Sequence, residues 1–182
     1  MKKKDVIFLS IASIIIILFV VLFSVFIGGP MHVQGDSMNP YLEDGDIVIV
    51  NKLAYIGDKT PSRFDLVVFP YKNSKNTKYV KRVIGLPGET IEITDYVVYI
   101  ERNGKMEKLE DYYGQLLGMS YNSIANYGPV TLGEDEYFVL GDNRYHSSDS
   151  RSDDVGLITE DDIKGKVFFR AWPLDGFGSL DD

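Results

Sequence analysis

The run from Val6 to Ile27 constrains this chain more than any other feature: 22 residues without a charge, with polar side chains only at Ser10, Ser13 and Ser24. As a helix it would reach roughly 33 Å, enough to cross the hydrocarbon core of a bilayer. A transmembrane anchor is therefore expected over 6–28, behind a short tail of residues 1–5. A cleavable leader is the competing reading. The apolar stretch is longer than a typical leader core, and Gly28, Gly29, Pro30 and Met31 supply no convincing small-x-small cleavage pattern. No face of the run is polar, which argues against a helix buried in a soluble core. Lys2, Lys3 and Lys4 precede the run, whereas residues 28–34 carry no Lys or Arg. That asymmetry puts the N-terminus in the cytoplasm and residues 29–182 outside the plasma membrane, on a single-pass topology.

With 182 residues in all, the external part has room for one modest domain. Setting aside the charges before the apolar run leaves it 16 basic and 26 acidic residues, a balance that argues against nucleic acid as a partner. Cysteine is absent, which excludes disulfides, thiolate metal sites and cysteine nucleophiles. The two histidines, His32 and His146, are too few and badly spaced for a zinc site built on them, and no metal is expected.

Beyond the anchor, β-branched and aromatic residues come in short runs: 47–50, 66–69, 79–84, 90–93, 96–100, 137–140 and 166–172. These read as strands of a mainly β domain. Gly45-Asp46, Pro87-Gly88 and Gly141-Asp142 punctuate them, and Asn103-Gly104 is a two-residue hairpin turn. The stretch 107–126 is polar, tyrosine-rich and weakly patterned, and reads as a loop or peripheral excursion.

Three segments could carry chemistry. In the first, Gly35-Asp36-Ser37-Met38-Asn39-Pro40, a serine between a glycine and a proline-stiffened turn can present its hydroxyl in a fixed position. An ordinary surface turn explains the same residues. The second, Tyr79-Val80-Lys81-Arg82-Val83-Ile84, places a lysine inside an apolar strand. Out of water such a lysine loses its proton near neutrality and can take one from a serine hydroxyl. Strand alternation sets Lys81 on the face opposite Val80 and Arg82, so a solvated Lys81 is the competing reading. The third, from Gly141 to Arg151, is dense in hydrogen-bonding side chains that can orient a buried base, or simply form a polar loop. A Ser-His-Asp triad through His146 finds no support in a G-x-S-x-G elbow, which the chain lacks.

Taken in order behind the apolar run, these segments resemble the type I signal peptidases, in the single-anchor form typical of Gram-positive bacteria. The matching residues are Gly35-Asp36-Ser37-Met38 with Pro40 and Leu42, Gly45-Asp46, Tyr79-Val80-Lys81-Arg82 with Gly85-Leu86-Pro87-Gly88, and Gly141-Asp142-Asn143-Arg144 with Ser147, Asp149, Ser150 and Arg151. The resemblance implies two connected antiparallel β-sheets, with about 91–130 a family-variable excursion. It implies Ser37 as nucleophile and Lys81 as general base. Ser147 would hydrogen-bond the lysine, and Asp142, Asp149 and Arg151 would hold the site together. Shallow apolar pockets would be lined by Val33, Met38, Leu42, Tyr79 and Val80. The reaction implied is removal of signal peptides from exported precursors after small-x-small sequences such as Ala-x-Ala, without metal or organic cofactor. The partners implied are those precursors, the lipid bilayer and, indirectly, the export translocon. Where Gram-negative relatives place a hydroxyl residue that helps form the oxyanion hole, this chain has Gly35, so the Ser37 N–H is the expected donor, with the Gly35 backbone or a water as helper. A non-catalytic member of the family is an alternative, against which stand the retained Ser37 and Lys81. A self-cleaving repressor of the same clan would need a DNA-binding domain where the anchor lies.

Overall fold

The computed structural model describes residues 3–26, 28–72, 74–118 and 123–180. Helix α1 occupies Lys3–Phe26. Among the described residues the strands are β1 (Pro30–His32), β2 (Ile47–Asn51), β3 (Leu66–Tyr71), β4 (Ser74–Gly85), β5 (Thr90–Thr94), β6 (Val97–Arg102), β7 (Lys105–Lys108), β8 (Tyr127–Thr131), β9 (Glu136–Leu140), β10 (Ile158–Thr159), β11 (Gly165–Trp172) and β12 (Gly178–Ser179). They form two sheets, one ordered β1-β2-β11-β3-β4-β9-β10 with β12 beside β11, the other β7-β6-β5-β8. The mainly β, two-sheet expectation holds, and each expected strand is present.

Alternation explains how the larger sheet is covered. On β3, Leu66 and Val68 face one core with Val48, Val50, Val80 and Val167, while Val67 and Phe69 face another with Val83, Tyr137, Val139 and Ile158. The middle of this sheet is therefore buried on both faces, which continuous apolar strands permit. A third core joins the sheets: Ile91, Ile93, Val98 and Ile100 from the smaller one pack with Ile84, Phe138 and Leu140 from the larger. Full burial of side chains of this size contributes about 1.5–3 kcal/mol each. At Gly85 the sheets come so close that a Cβ would lie 2.0 Å from Ile91 Cδ1.

The Asn103-Gly104 turn forms as expected. Both residues have positive φ, 54° and 76°, and Arg102 pairs with Lys105 across the hairpin. Strand β7 escapes the sequence pattern because all four of its residues are exposed. The expected excursion over 91–130 carries β5, β6, β7 and β8, so much of it is sheet and core. Within 107–126, Leu109 is buried and Gln115 bridges in parallel to Asn143, so this stretch is pinned against the third segment of the sequence. Residues 119–122 lie outside the described residues.

The expected anchor is only partly described. Side chains in α1 are described without a break over 4–18, and those at 19 and 22–26 lie outside the described set. Among the described residues no helix is long and apolar enough to cross a membrane. The described part of α1 therefore does not by itself show the transmembrane span expected over 6–28.

Candidate active site

Ser37 sits in a closed loop hung between β1 and β2. Val33 N–H donates to Asp46 O at 2.8 Å and Gly45 N–H to Val33 O at 3.0 Å, which prolongs the β1–β2 ladder and fixes both ends of the loop. Inside it, Leu42 N–H donates to Met38 O at 2.9 Å, and both side chains are buried in the first core. Buried Asp46 accepts from Glu43 N–H and pairs with Arg170 at 3.1 Å. Gly35 adopts φ 82°, a conformation glycine reaches without a Cβ clash, and donates its N–H to Asp44 Oδ1 at 2.7 Å. That bond directs the Gly35 N–H to a side chain of its own loop rather than to a bound carbonyl.

Lys81 lies on β4 opposite Val67 of β3. On its other side the β4–β9 ladder passes through Arg82–Leu140, and the chain runs on into Gly141. A Cβ on Gly141 would lie 2.2 Å from Ser147 Oγ and 2.4 Å from Ser37 O, so only glycine lets the Ser37 turn, the Lys81 strand and the 141–151 loop converge here. The Ser37 carbonyl accepts from Asn143 N–H at 3.1 Å, which ties the turn to that loop.

The result is a lysine only 3% exposed whose Nζ is 2.7 Å from Ser37 Oγ and donates to Val80 O at 3.1 Å. The alternation read from the sequence is right, but the face opposite Val80 is covered too, so Lys81 is not solvated. Burial lowers its pKa from 10.5 to about 8, against the opposing pull of the Asp149 and Asp142 carboxylates. At pH 7 roughly a tenth of such a group is the free amine. With the proton on Nζ the lysine donates to Ser37, and as an amine it accepts the Ser37 hydroxyl proton.

The expected supporting residues gather around this pair. Asp149 is fully buried, accepts Gly141 N–H at 3.0 Å and binds Arg151 Nε and Nη2 at 2.8 and 2.9 Å. Arg151 reaches on to the Arg144 and Ile124 carbonyls. Asp142 accepts two N–H bonds from Arg82, at 2.8 and 2.7 Å. Burial pushes the Asp142 carboxyl above the usual range, with Arg82 and Arg144 drawing it back down. Ser147 Oγ, expected to hydrogen-bond the lysine, is buried with no hydrogen-bond partner among the described residues, and the two bonds of Lys81 go to Ser37 Oγ and Val80 O.

Ser37 and Lys81 open onto a cleft of about 530 Å³ lined by Met31, Val33, Met38, Tyr79, Val80 and Ser148, among others. Of the expected pocket residues, Val33, Met38, Tyr79 and Val80 line it. Leu42 does not; it is fully buried beneath, in the core that carries Met38 and Val33.

Sequence reasoning assigned no role to Arg82, Arg144, Tyr41, Asp111 or Tyr113. Arg82 is 2% exposed, and its guanidinium lies 3.6 Å from the Tyr113 ring centroid and 4.5 Å from that of Tyr41. Arg144 pairs with Asp111 and donates to Gly141 O at 3.0 Å. A charge inside an apolar strand, as at Arg82, signals that a buried carboxylate must meet it; nothing in the tyrosine-rich 107–126 stretch signalled that it would supply the ring.

The family described as signal peptidase, peptidase S26, matches residues 6–172. A protein called signal peptidase I P from Bacillus subtilis subsp. natto is 36% identical over 175 residues, covering 95% of this chain and 92% of its own. Signal peptidase IB from Staphylococcus aureus (strain COL) is 38% identical over 188 residues, covering 96% and 94%. A crystal structure of a signal peptidase I from Enterococcus faecalis V583 is 34% identical, covers 61% of this chain and 99% of its own, and superposes with a TM-score of 0.47. The chain belongs to the signal peptidase family, peptidase S26.

Proposed function

We propose that this chain is a membrane-anchored signal peptidase that removes signal peptides from exported precursors after small-x-small sites, through Ser37 and Lys81. The observation that carries the reading is the 2.7 Å contact between Ser37 Oγ and a lysine Nζ that burial brings to a pKa of about 8, at the end of an apolar-walled cleft. Ser37 Oγ attacks the scissile carbonyl while its proton passes to Lys81 Nζ. Lys81 returns that proton to the leaving amine, and the acyl-enzyme forms on Ser37. Lys81, again an amine, then takes a proton from the water that releases the acyl chain. The oxyanion is assigned to the Ser37 N–H, since the Gly35 N–H is directed to Asp44. Val33, Met38, Tyr79 and Val80 offer apolar walls that suit small side chains.

The anchor belongs to the same proposal. Val6, Ile7, Phe8, Leu9, Ile14 and Val21 of α1 are each more than two-fifths exposed, so the rest of the chain leaves them uncovered. The Ser10 and Ser13 hydroxyls donate back to the Val6 and Leu9 carbonyls at 2.9 Å, the internal satisfaction a lipid setting requires. The lysine-rich tail supports a topology with the N-terminus in the cytoplasm and the sheets outside.

The test is incubation of the purified full chain with a precursor carrying an Ala-x-Ala site, the new N-terminus being read by mass spectrometry. Cleavage after the second alanine by the unaltered chain, and none by Ser37→Ala, is expected. Equal cleavage by both would refute the assignment of Ser37.

A further inference from the structure

Four segments meet on one buried guanidinium. Arg82 follows Lys81 on β4, and its edge is held by Asp142 through two bonds and by the Phe64 carbonyl at 2.9 Å. Two aromatic rings from distant parts of the chain, set nearly at right angles to each other, also lie against it. Tyr41 belongs to the Ser37 turn, and Tyr113 to the stretch that follows the smaller sheet. The rings touch each other edge to face, with centroids 5.5 Å apart, and Tyr113 also packs on Phe64 at 5.4 Å.

We propose that Tyr113 is a positioning residue for the Ser37–Lys81 pair: its ring packs on the Arg82 guanidinium and on the Tyr41 ring at once, and so braces the Ser37 turn against the Lys81 strand. The proposal rests on the reading of Ser37 and Lys81 as the reacting pair. Arg82 cannot shift along β4, because the neighbouring residues are locked in ladders with β3 and β9. Its guanidinium cannot swing outward without leaving the Asp142 carboxylate buried and unpaired. Tyr41 is held on its far side by Arg170 at its carbonyl and by the Leu180 carbonyl at its hydroxyl, and the edge-to-face contact with Tyr113 braces the side toward Arg82. Cation–π contacts between desolvated partners suit this task because they are strong and directional.

Tyr113 is itself held firmly. Gln115 N–H donates to Asp142 O at 2.7 Å, Arg144 N–H donates to Gln115 O at 2.8 Å, and Asp111 pairs with Arg144. Between the tyrosine and Gln115, Gly114 permits the approach: a Cβ there would lie 2.5 Å from the Arg144 guanidinium carbon. The segment 111–115 is thus docked on both sides of its aromatic ring against the loop that carries Asp142 and Ser147. Displacement of a reacting group by an ångström costs on the order of a hundredfold in rate, so a strut at this distance has catalytic leverage.

The test compares Tyr113→Phe, Tyr113→Leu and Tyr113→Ala in the full chain, at a temperature where each variant is folded, by precursor cleavage and by direct titration of Lys81. The titration uses ¹³C-lysine NMR, with Lys81→Met to assign the signal. Tyr113→Phe, which keeps the ring, is expected to leave the Lys81 midpoint near 8. Tyr113→Leu and Tyr113→Ala are expected to lose about tenfold or more in kcat with KM held within about twofold. Their Lys81 midpoint is expected to rise from about 8 toward 10.5, as the loosened Ser37 turn admits water to Nζ. An unmoved Lys81 midpoint in Tyr113→Ala overturns the proposal, as does rescue by leucine or a loss confined to KM. If the unaltered chain cleaves nothing, the functional reading falls by itself, and the titration still decides the role of Tyr113.

Discussion

Lys81 is where burial becomes chemistry. A lysine held at about pKa 8 instead of 10.5 makes kcat/KM rise about tenfold per pH unit below 8 and level off above it. A pH–rate profile of the detergent-solubilised chain checks this; a flat profile from pH 6 to 9 would remove Lys81 as the base. The same shift acts on stability. Because the folded pKa lies below the unfolded one, the unfolded chain binds more protons between about 8 and 10.5, and stability rises with pH across that window. Below pH 8 the penalty for burying the ammonium is fully present, about 3 kcal/mol. Lys81→Met should therefore be inactive yet more stable than the unaltered chain at pH 7, by up to that amount, with the advantage shrinking as pH approaches 10.5. Chemical denaturation at several pH values measures it. At Gly141 the constraint is steric. Gly141→Ala brings a methyl against the Ser37 carbonyl and Ser147, and is expected to abolish cleavage because the obstructing Ser37 atom is backbone.

Among the elements, β4 does most to build the site, since it carries Lys81 and Arg82 on opposite faces of a sheet covered on both. Replacing Arg82 by lysine keeps the charge but loses the paired bonds to Asp142 and the flat face stacked on Tyr113. Arg82→Lys is expected to destabilise the fold by about 3 kcal/mol, because Asp142 is left partly unpaired where water cannot reach it. Denaturant titration would show the loss. The β6–β7 hairpin supplies the contrast. Gly104→Val forces a β-branched residue to φ 76° at an exposed turn, which should cost about 1 kcal/mol and leave cleavage untouched.

At the scale of the whole molecule, the proposed topology makes a prediction of its own. Protease added to intact cells stripped of their wall should digest the sheets while a tag placed ahead of Lys2 survives; a digested tag would reverse the orientation. Much of this architecture was legible from residue order. The seven strand runs, the Asn103-Gly104 turn and the Ser37, Lys81 and Gly141–Arg151 segments were all visible, because alternation, turn chemistry and motif spacing are local properties of a chain. Whether Lys81 is wet or dry was not, since desolvation depends on what covers the second face of β4, and the cover comes from a loop about 60 residues away. The same holds for Leu42, which motif matching placed in the pocket and packing placed below it, and for Ser147, whose hydroxyl the tertiary structure leaves without the lysine. Tyr113 is the clearest case: a weakly patterned stretch shows no periodicity because the partners of this ring are one guanidinium and two rings from distant segments rather than a regular core face. Sequence alone determined the order of the parts and the chemistry they could support. Only the tertiary structure decided which charges lost their water and which rings met them, because burial belongs to the folded assembly of segments and not to any one of them.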